Sequence, residues 1–122
     1  MVRPSTCTLF LLSCLLLGPA PGVAVTWIQG GGGASCSVVC QARGGCDESA
    51  WPKSLEAFEE IVAAAGKTCE ATQEGGAKYD PSTDGRYCGW NGPEPADESP
   101  RCEATVDGGT HRFCPCNTDK EL

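Results

Sequence analysis

The chain has 122 residues, ten of them cysteine, with sixteen acidic side chains against nine basic ones and a formal charge of −7. An acidic chain without a cluster of Lys and Arg repels phosphates and has nothing to displace their counterions, which excludes nucleic acid as a partner. The length sets one domain with a modest core, so cross-links decide whether it holds.

Residues 1–24 read as a secretory signal peptide: Arg3 supplies the positive start, residues 9–17 an apolar stretch interrupted by Ser13, and Gly22-Val23-Ala24 a small-x-small cleavage site. Cleavage after Ala20 is the alternative. The apolar stretch is too short to span a bilayer and no second one follows, so no membrane insertion is expected after cleavage. Removing the leader discards Cys7 and Cys14 and leaves Cys36, Cys40, Cys46, Cys69, Cys88, Cys102, Cys114 and Cys116. In an oxidising lumen an even set of this kind pairs into about four disulfides.

Residues 25–28 gather Val, Thr, Trp and Ile in the manner of a short strand, which the glycines at 30–33 should end. No Gly-Lys-Ser/Thr follows these glycines, so they read as a flexible tether and not a phosphate cradle. Ser35 is placed to cap a short helix over residues 36–42 that stops at Gly44 and puts Cys36 and Cys40 on one face. A clearer helix follows Trp51-Pro52. Ser54 is its N-cap, Leu55, Phe58, Ile61, Val62 and Ala65 recur at helical spacing, and Gly66 stops it. Glu56, Glu59 and Glu60 form its solvated face.

Beyond Cys69 the periodicity fades into loops at residues 73–76, 80–85 and 91–100, with extended pieces expected at 86–90, 102–106 and 110–114. The fold class is therefore a small disulfide-rich α+β or irregular domain, with one or two short helices and short strands. Its expected parts are the leader at 1–24, a Gly-rich N-terminal lead at 25–34, the disulfide-rich domain at 35–116 and a tail at 117–122. Eight cysteines allow about 105 pairings. Cys114 and Cys116 point the same way in an extended chain and are poorly placed to bond each other, which favours pairing that segment with the Cys36/Cys40 helix face.

Chemistry is sparse. Disulfide-bonded cysteines are neither nucleophiles nor zinc ligands, repeated Cys-x-x-Cys pairs are absent, and no cofactor motif or metal site is visible. His111, the one histidine, reads as an exposed polar residue. Asp80, Asp84, Glu94, Asp97 and Glu98 lie in loops without calcium-binding spacing and read as solvated. Trp90 with Tyr87 lies in the stretch Tyr-Cys-Gly-Trp-Asn-Gly, where an aromatic face beside amide donors suits stacking on a sugar; the competing reading has Trp90, like Trp27 and Trp51, filling the core. The last residues, Asp119-Lys120-Glu121-Leu122, resemble a K-D-E-L retrieval signal with its first two positions exchanged, or are an ordinary charged tail.

One series of residues carries a family likeness: Cys36-Ser-Val-Val-Cys40, Cys46, Trp51-Pro52, Ala57-Phe58, Cys69, Tyr79, Cys88, Cys102 and Arg112-Phe-Cys114-Pro-Cys116. In order and spacing it resembles the cysteine-rich C-terminal segment of the branching β-1,6-N-acetylglucosaminyltransferases that act on N-glycan mannose. The large domain that would bind a nucleotide sugar and supply the catalytic carboxylate is absent, so the resemblance implies an accessory module and carries over no catalytic residue. The expected function is a non-catalytic recognition module of the secretory pathway, secreted or in the lumen of the endoplasmic reticulum or Golgi, that contacts glycans or glycoproteins. The alternatives are a fragment of, or accessory to, a Golgi N-glycan-branching transferase, and a small secreted effector or inhibitor.

Overall fold

A computed structural model describes residues 24–93 and 100–120. The leader at 1–23, Glu94, Asp97 and Glu98, and the terminal Glu121-Leu122 lie outside the described residues. The chain forms an α+β domain of two helices, a short 3-10 turn and a mixed five-stranded sheet, joined by four disulfides. The strands are β1 (Thr26–Gly32), β2 (Ala71–Glu74), β3 (Ser82–Thr83), β4 (Tyr87–Trp90) and β5 (His111–Cys116), in the order β1-β5-β3-β4-β2. All neighbours are antiparallel except β2 and β4, which run parallel.

Strand β5 organises the interior because both of its faces are covered. Its alternation sends Arg112, Cys114 and Cys116 to one side and Phe113 to the other, all of them fully buried. On the first side helix α1 (Cys36–Val39) and its C-cap Cys40 are bonded to the strand through Cys36–Cys114 and Cys40–Cys116. Ser35 caps this helix by accepting a hydrogen bond from the Val38 amide. The helix is shorter than the spacing predicts, giving way to the 3-10 turn Gln41–Arg43 before Gly44 turns into the left-handed region. Cys46–Cys102 completes this half of the core, beside Trp51.

On the second side lies helix α2 (Leu55–Ala64), capped by Ser54, whose hydroxyl accepts from the Ala57 amide at 3.0 Å, and ended at Gly66 with φ of 75°. Its Phe58 meets Phe113 edge-on at 6.2 Å and stacks on Trp90 at 6.3 Å. Ile61 and Val62 fill the remaining space, while Leu55, at the helix start, is exposed. Cys69–Cys88 ties the chain leaving this helix to β4.

Three expectations are corrected. The glycines at 30–33 are no tether: Gly30 to Gly32 continue β1, past a register shift that follows Gln29, to pair with His111. A side chain at Gly30 would strike Val39 of α1, and one at Gly32 would strike the Gly108 carbonyl, so glycine lets the strand pass between its neighbours. Residues 71–74, expected to lead into a loop, instead form β2, an exposed edge strand whose hydrogen bonding is extended at either end by Glu70 N–H to Arg86 O and Gly75 N–H to Trp90 O. Residues 102–106 are irregular and not extended, because the guanidinium of Arg112 takes up the Cys102 and Ala104 carbonyls that a strand partner would otherwise satisfy.

The close approach at Gly32 has a measurable consequence. Gly32→Ala is expected to lower unfolding stability by about 1–3 kcal/mol, since the obstructing atom is backbone and has nowhere to retreat. Gly31→Ala meets no atom within 4 Å and serves as the control. Denaturant unfolding of the two oxidised variants checks this; equal midpoints would remove the steric explanation.

Candidate functional site

A polar cleft of about 420 Å³ opens where β3 and β4 meet the segment that follows β2. Asp80 lies at its base, just ahead of β3 and only 3% exposed. Its Oδ1 accepts a hydrogen bond from the Ser82 hydroxyl at 2.8 Å, and its Oδ2 a longer one from the Ala77 amide at 3.3 Å. Burial pushes the Asp80 carboxyl above the ordinary range, against the opposing pull of these hydrogen bonds and of the Arg101 and Arg112 charges. Gly75 and Gly89 flank it. A Cβ at either would stand 3.0–3.1 Å from a carboxylate oxygen, so glycine at these two positions lets the backbone pack closely against the acid.

The rim is shaped by the turn between β3 and β4. Thr83 donates its hydroxyl to the Tyr87 carbonyl at 2.7 Å and accepts from the Gly85 amide. The Asp84 carboxylate accepts from the Arg86 and Tyr87 amides at 2.9 and 2.7 Å, which hold it below the usual carboxylate range. This closed turn presents Tyr87 at the rim, 45% exposed, with the Arg86 guanidinium 5.1 Å from its ring centre and paired with Glu70. Gln73 and Tyr79 also line the cleft.

The floor is fixed from behind by two arginines. Arg112, fully buried, donates to the Tyr79 carbonyl at 2.9 Å and to Ala104 O at 2.7 Å, with a longer contact to Cys102 O. Burial, reinforced by the Arg101 charge, lowers its pKa to about 10. Arg101 donates to the Asp80 carbonyl and lies 4.5 Å from the Trp51 ring centre. Glu48 holds the Arg101 segment in place: its carboxylate accepts from the Arg101 and Cys102 amides at 2.8 Å each and from the Trp51 indole at 3.2 Å. Burial pushes Glu48 up, but these hydrogen bonds and the Arg101 charge outweigh it and leave its pKa lowered. The arginines thus act on the backbone that carries Tyr79 and Asp80.

The aromatic pair suggested by residues 87–90 is not brought together. Tyr87 points to solvent while Trp90, three residues along the same strand, is 3% exposed and stacked on Phe58, so the indole presents no free face. Tyr87 instead joins Asp80 and Asp84 around the cleft. His111 is half-buried, and its Nδ1 donates to the Gly30 carbonyl at 2.9 Å. All eight cysteines from Cys36 to Cys116 are in disulfides, and no group of three or more metal-ligating side chains occurs among the described residues. The arginine support and the two flanking glycines have no spacing signature and were not legible as site residues; Arg112 stood out only through its place in Arg-Phe-Cys-Pro-Cys.

A second concavity, about 490 Å³, is lined by residues of α2 and by Trp27, Trp51, Pro52 and Lys53. It is more apolar and lacks buried polar groups directed into it. No family model matches the chain, and neither curated proteins nor solved structures give a match.

Four disulfides fit an oxidising compartment, either a secretory-pathway lumen or the exterior. No helix among the described residues is long and apolar enough to cross a membrane.

Proposed function

We propose that the protein is a non-catalytic recognition module of the secretory pathway whose ligand is a glycan, free or carried on a glycoprotein. The observation that carries this reading is the cleft, where a buried carboxylate, hydroxyls, a side-chain amide and two tyrosines converge on one opening. Sugars are bound by this combination: acceptors and donors meet the hydroxyls, and an aromatic ring meets the apolar C–H face. The non-catalytic part of the reading is supported by Asp84, whose carboxylate accepts two backbone amides and so closes its own turn. The likeness in cysteine spacing to the terminal segment of the N-glycan-branching transferases points the same way, toward an accessory of that machinery.

The test is a broad glycan array probed with the full chain, expressed through an oxidising secretory pathway. Wild-type protein is expected to bind a defined glycan subset and leave it uncleaved. Tyr87→Ala is expected to weaken that binding about tenfold with an unchanged melting temperature, because the ring is exposed and supports no core contact. Absence of binding to every glycan would overturn the reading in favour of a secreted effector or inhibitor, and release of cleaved product would overturn its non-catalytic part.

A further inference from the structure

Resting on the glycan reading above, we propose that the cleft selects an uncharged sugar residue, seated by two neighbouring hydroxyls that donate to the Asp80 carboxylate beneath the Tyr87 rim. The charges around the opening set the ligand class. Asp80 and Asp84 are the charged side chains that line it, and both are acidic. Three arginines near the cleft are engaged elsewhere: Arg86 with Glu70 and the Tyr87 ring, Arg101 and Arg112 with backbone carbonyls behind the floor. A sialylated, sulfated or phosphorylated sugar would bring its negative charge against two carboxylates with no basic partner in the cleft.

The acceptor capacity of Asp80 matches hydroxyl donors. A carboxylate offers about four lone-pair sites, and Asp80 receives Ser82 Oγ–H on one oxygen and Ala77 N–H on the other. Each oxygen therefore has a site left, on a group that only accepts, and an adjacent pair of sugar hydroxyls supplies two donors at the needed spacing. Gly75 and Gly89 lie against the same carboxylate. Neither has a positive φ, so no backbone requirement explains the missing side chains, whereas a Cβ at either position would crowd the carboxylate oxygens.

Asp80 is also an uneconomical residue if its role were only structural. A carboxyl whose pKa is raised on folding favours the folded chain most at pH below its unfolded value, and that contribution is lost as pH rises through the higher folded value. At neutral pH the ionised group therefore weighs against the fold, as binding residues commonly do. Asparagine has the same shape, can accept from the Ala77 amide and can donate to the Ser82 hydroxyl, so Asp80→Asn removes the charge without orphaning either partner.

The deciding experiment measures the full, oxidised chain on an array that carries mannose-, galactose- and N-acetylglucosamine-terminated glycans, their sialylated, sulfated and phosphorylated counterparts, and sugars with a free amine. Binding confined to the uncharged set is expected. Asp80→Asn should weaken it about tenfold or more while the unfolding midpoint at neutral pH holds or rises. Gly89→Ala should weaken it as well, by crowding the carboxylate. Preference for anionic or amine-bearing sugars, or uncharged-sugar binding that Asp80→Asn leaves intact, would overturn the proposal while leaving glycan recognition standing; no glycan binding by the wild type would overturn both.

Discussion

Removing Cys36–Cys114 or Cys40–Cys116 singly is expected to cost about 2 kcal/mol, and removing both about 5–6 kcal/mol, about 1–2 kcal/mol more than the sum of the two. The reason lies in the spacing of the bridges. They join residues four apart on one element to residues two apart on another, with sequence separations of 78 and 76, so either bridge alone closes nearly the same ring. With one intact, the second closes only a small extra ring of roughly seven residues, and the chain-entropy gain is correspondingly small. With both gone, the whole ring opens, though Cys46–Cys102 already shortens it to roughly twenty residues. A loss of that size approaches the whole stability of a small domain. Paired cysteine-to-alanine replacements, measured by denaturant unfolding in a double-mutant cycle, check the claim. Strict additivity would show that the bridges act independently and that the shared ring is irrelevant.

Arg112→Met is expected to destabilise the domain by about 3 kcal/mol. The side chain is fully buried and its guanidinium fork reaches the Tyr79, Cys102 and Ala104 carbonyls at once. Methionine fills much of the volume and supplies no donor, leaving up to three carbonyls unsatisfied at about 1 kcal/mol each. The guanidinium carbon also lies 5.6 Å from the Trp51 ring centre, a contact that methionine replaces only in part. Arg112→Lys should recover little, because an ammonium is a point donor on a flexible stem and does not reproduce the planar fork. The effect should extend to the cleft, since Tyr79 is one of its walls: hydrogen exchange should rise at residues 79–80 and 102–104 before the helices loosen. A variant as stable as wild type, with unchanged exchange in those segments, would refute this account.

Much of the scaffold was legible because its causes are local. Ser54 and Gly66 bracket α2 by capping chemistry, and its apolar residues recur at a period a helix alone satisfies. The Cys114-Pro-Cys116 pairing with the α1 face followed from the period-two geometry of an extended strand meeting the i, i+4 geometry of a helix. What escaped depends on partners distant in sequence. Strand β2 reads Ala-Thr-Gln-Glu and is exposed throughout; it exists because β4 offers it a free edge. The glycines of β1 are indistinguishable from a linker until Val39 and Gly108 are seen against them. The candidate site shows the same division. Tyr87 was visible as an aromatic in a turn-rich stretch, but the expected partner, Trp90, went to the core because α2 brought Phe58 over it. Asp80 looked like one loop acid among several, and its burial is created by Gly75, Gly89 and the arginine-held backbone behind it.

The nesting of the bridges also determines what a protease can do to this protein. Cys46–Cys102 lies inside both Cys36–Cys114 and Cys40–Cys116, which overlap each other, so each peptide bond between residues 46 and 102 is enclosed by three covalent links. A single scission there separates no fragment: the molecule becomes two chains of unchanged total mass, apart from one added water, and divides only when a reductant is present. In a protease-rich lumen or exterior, backbone integrity and molecular integrity are therefore different properties of this domain.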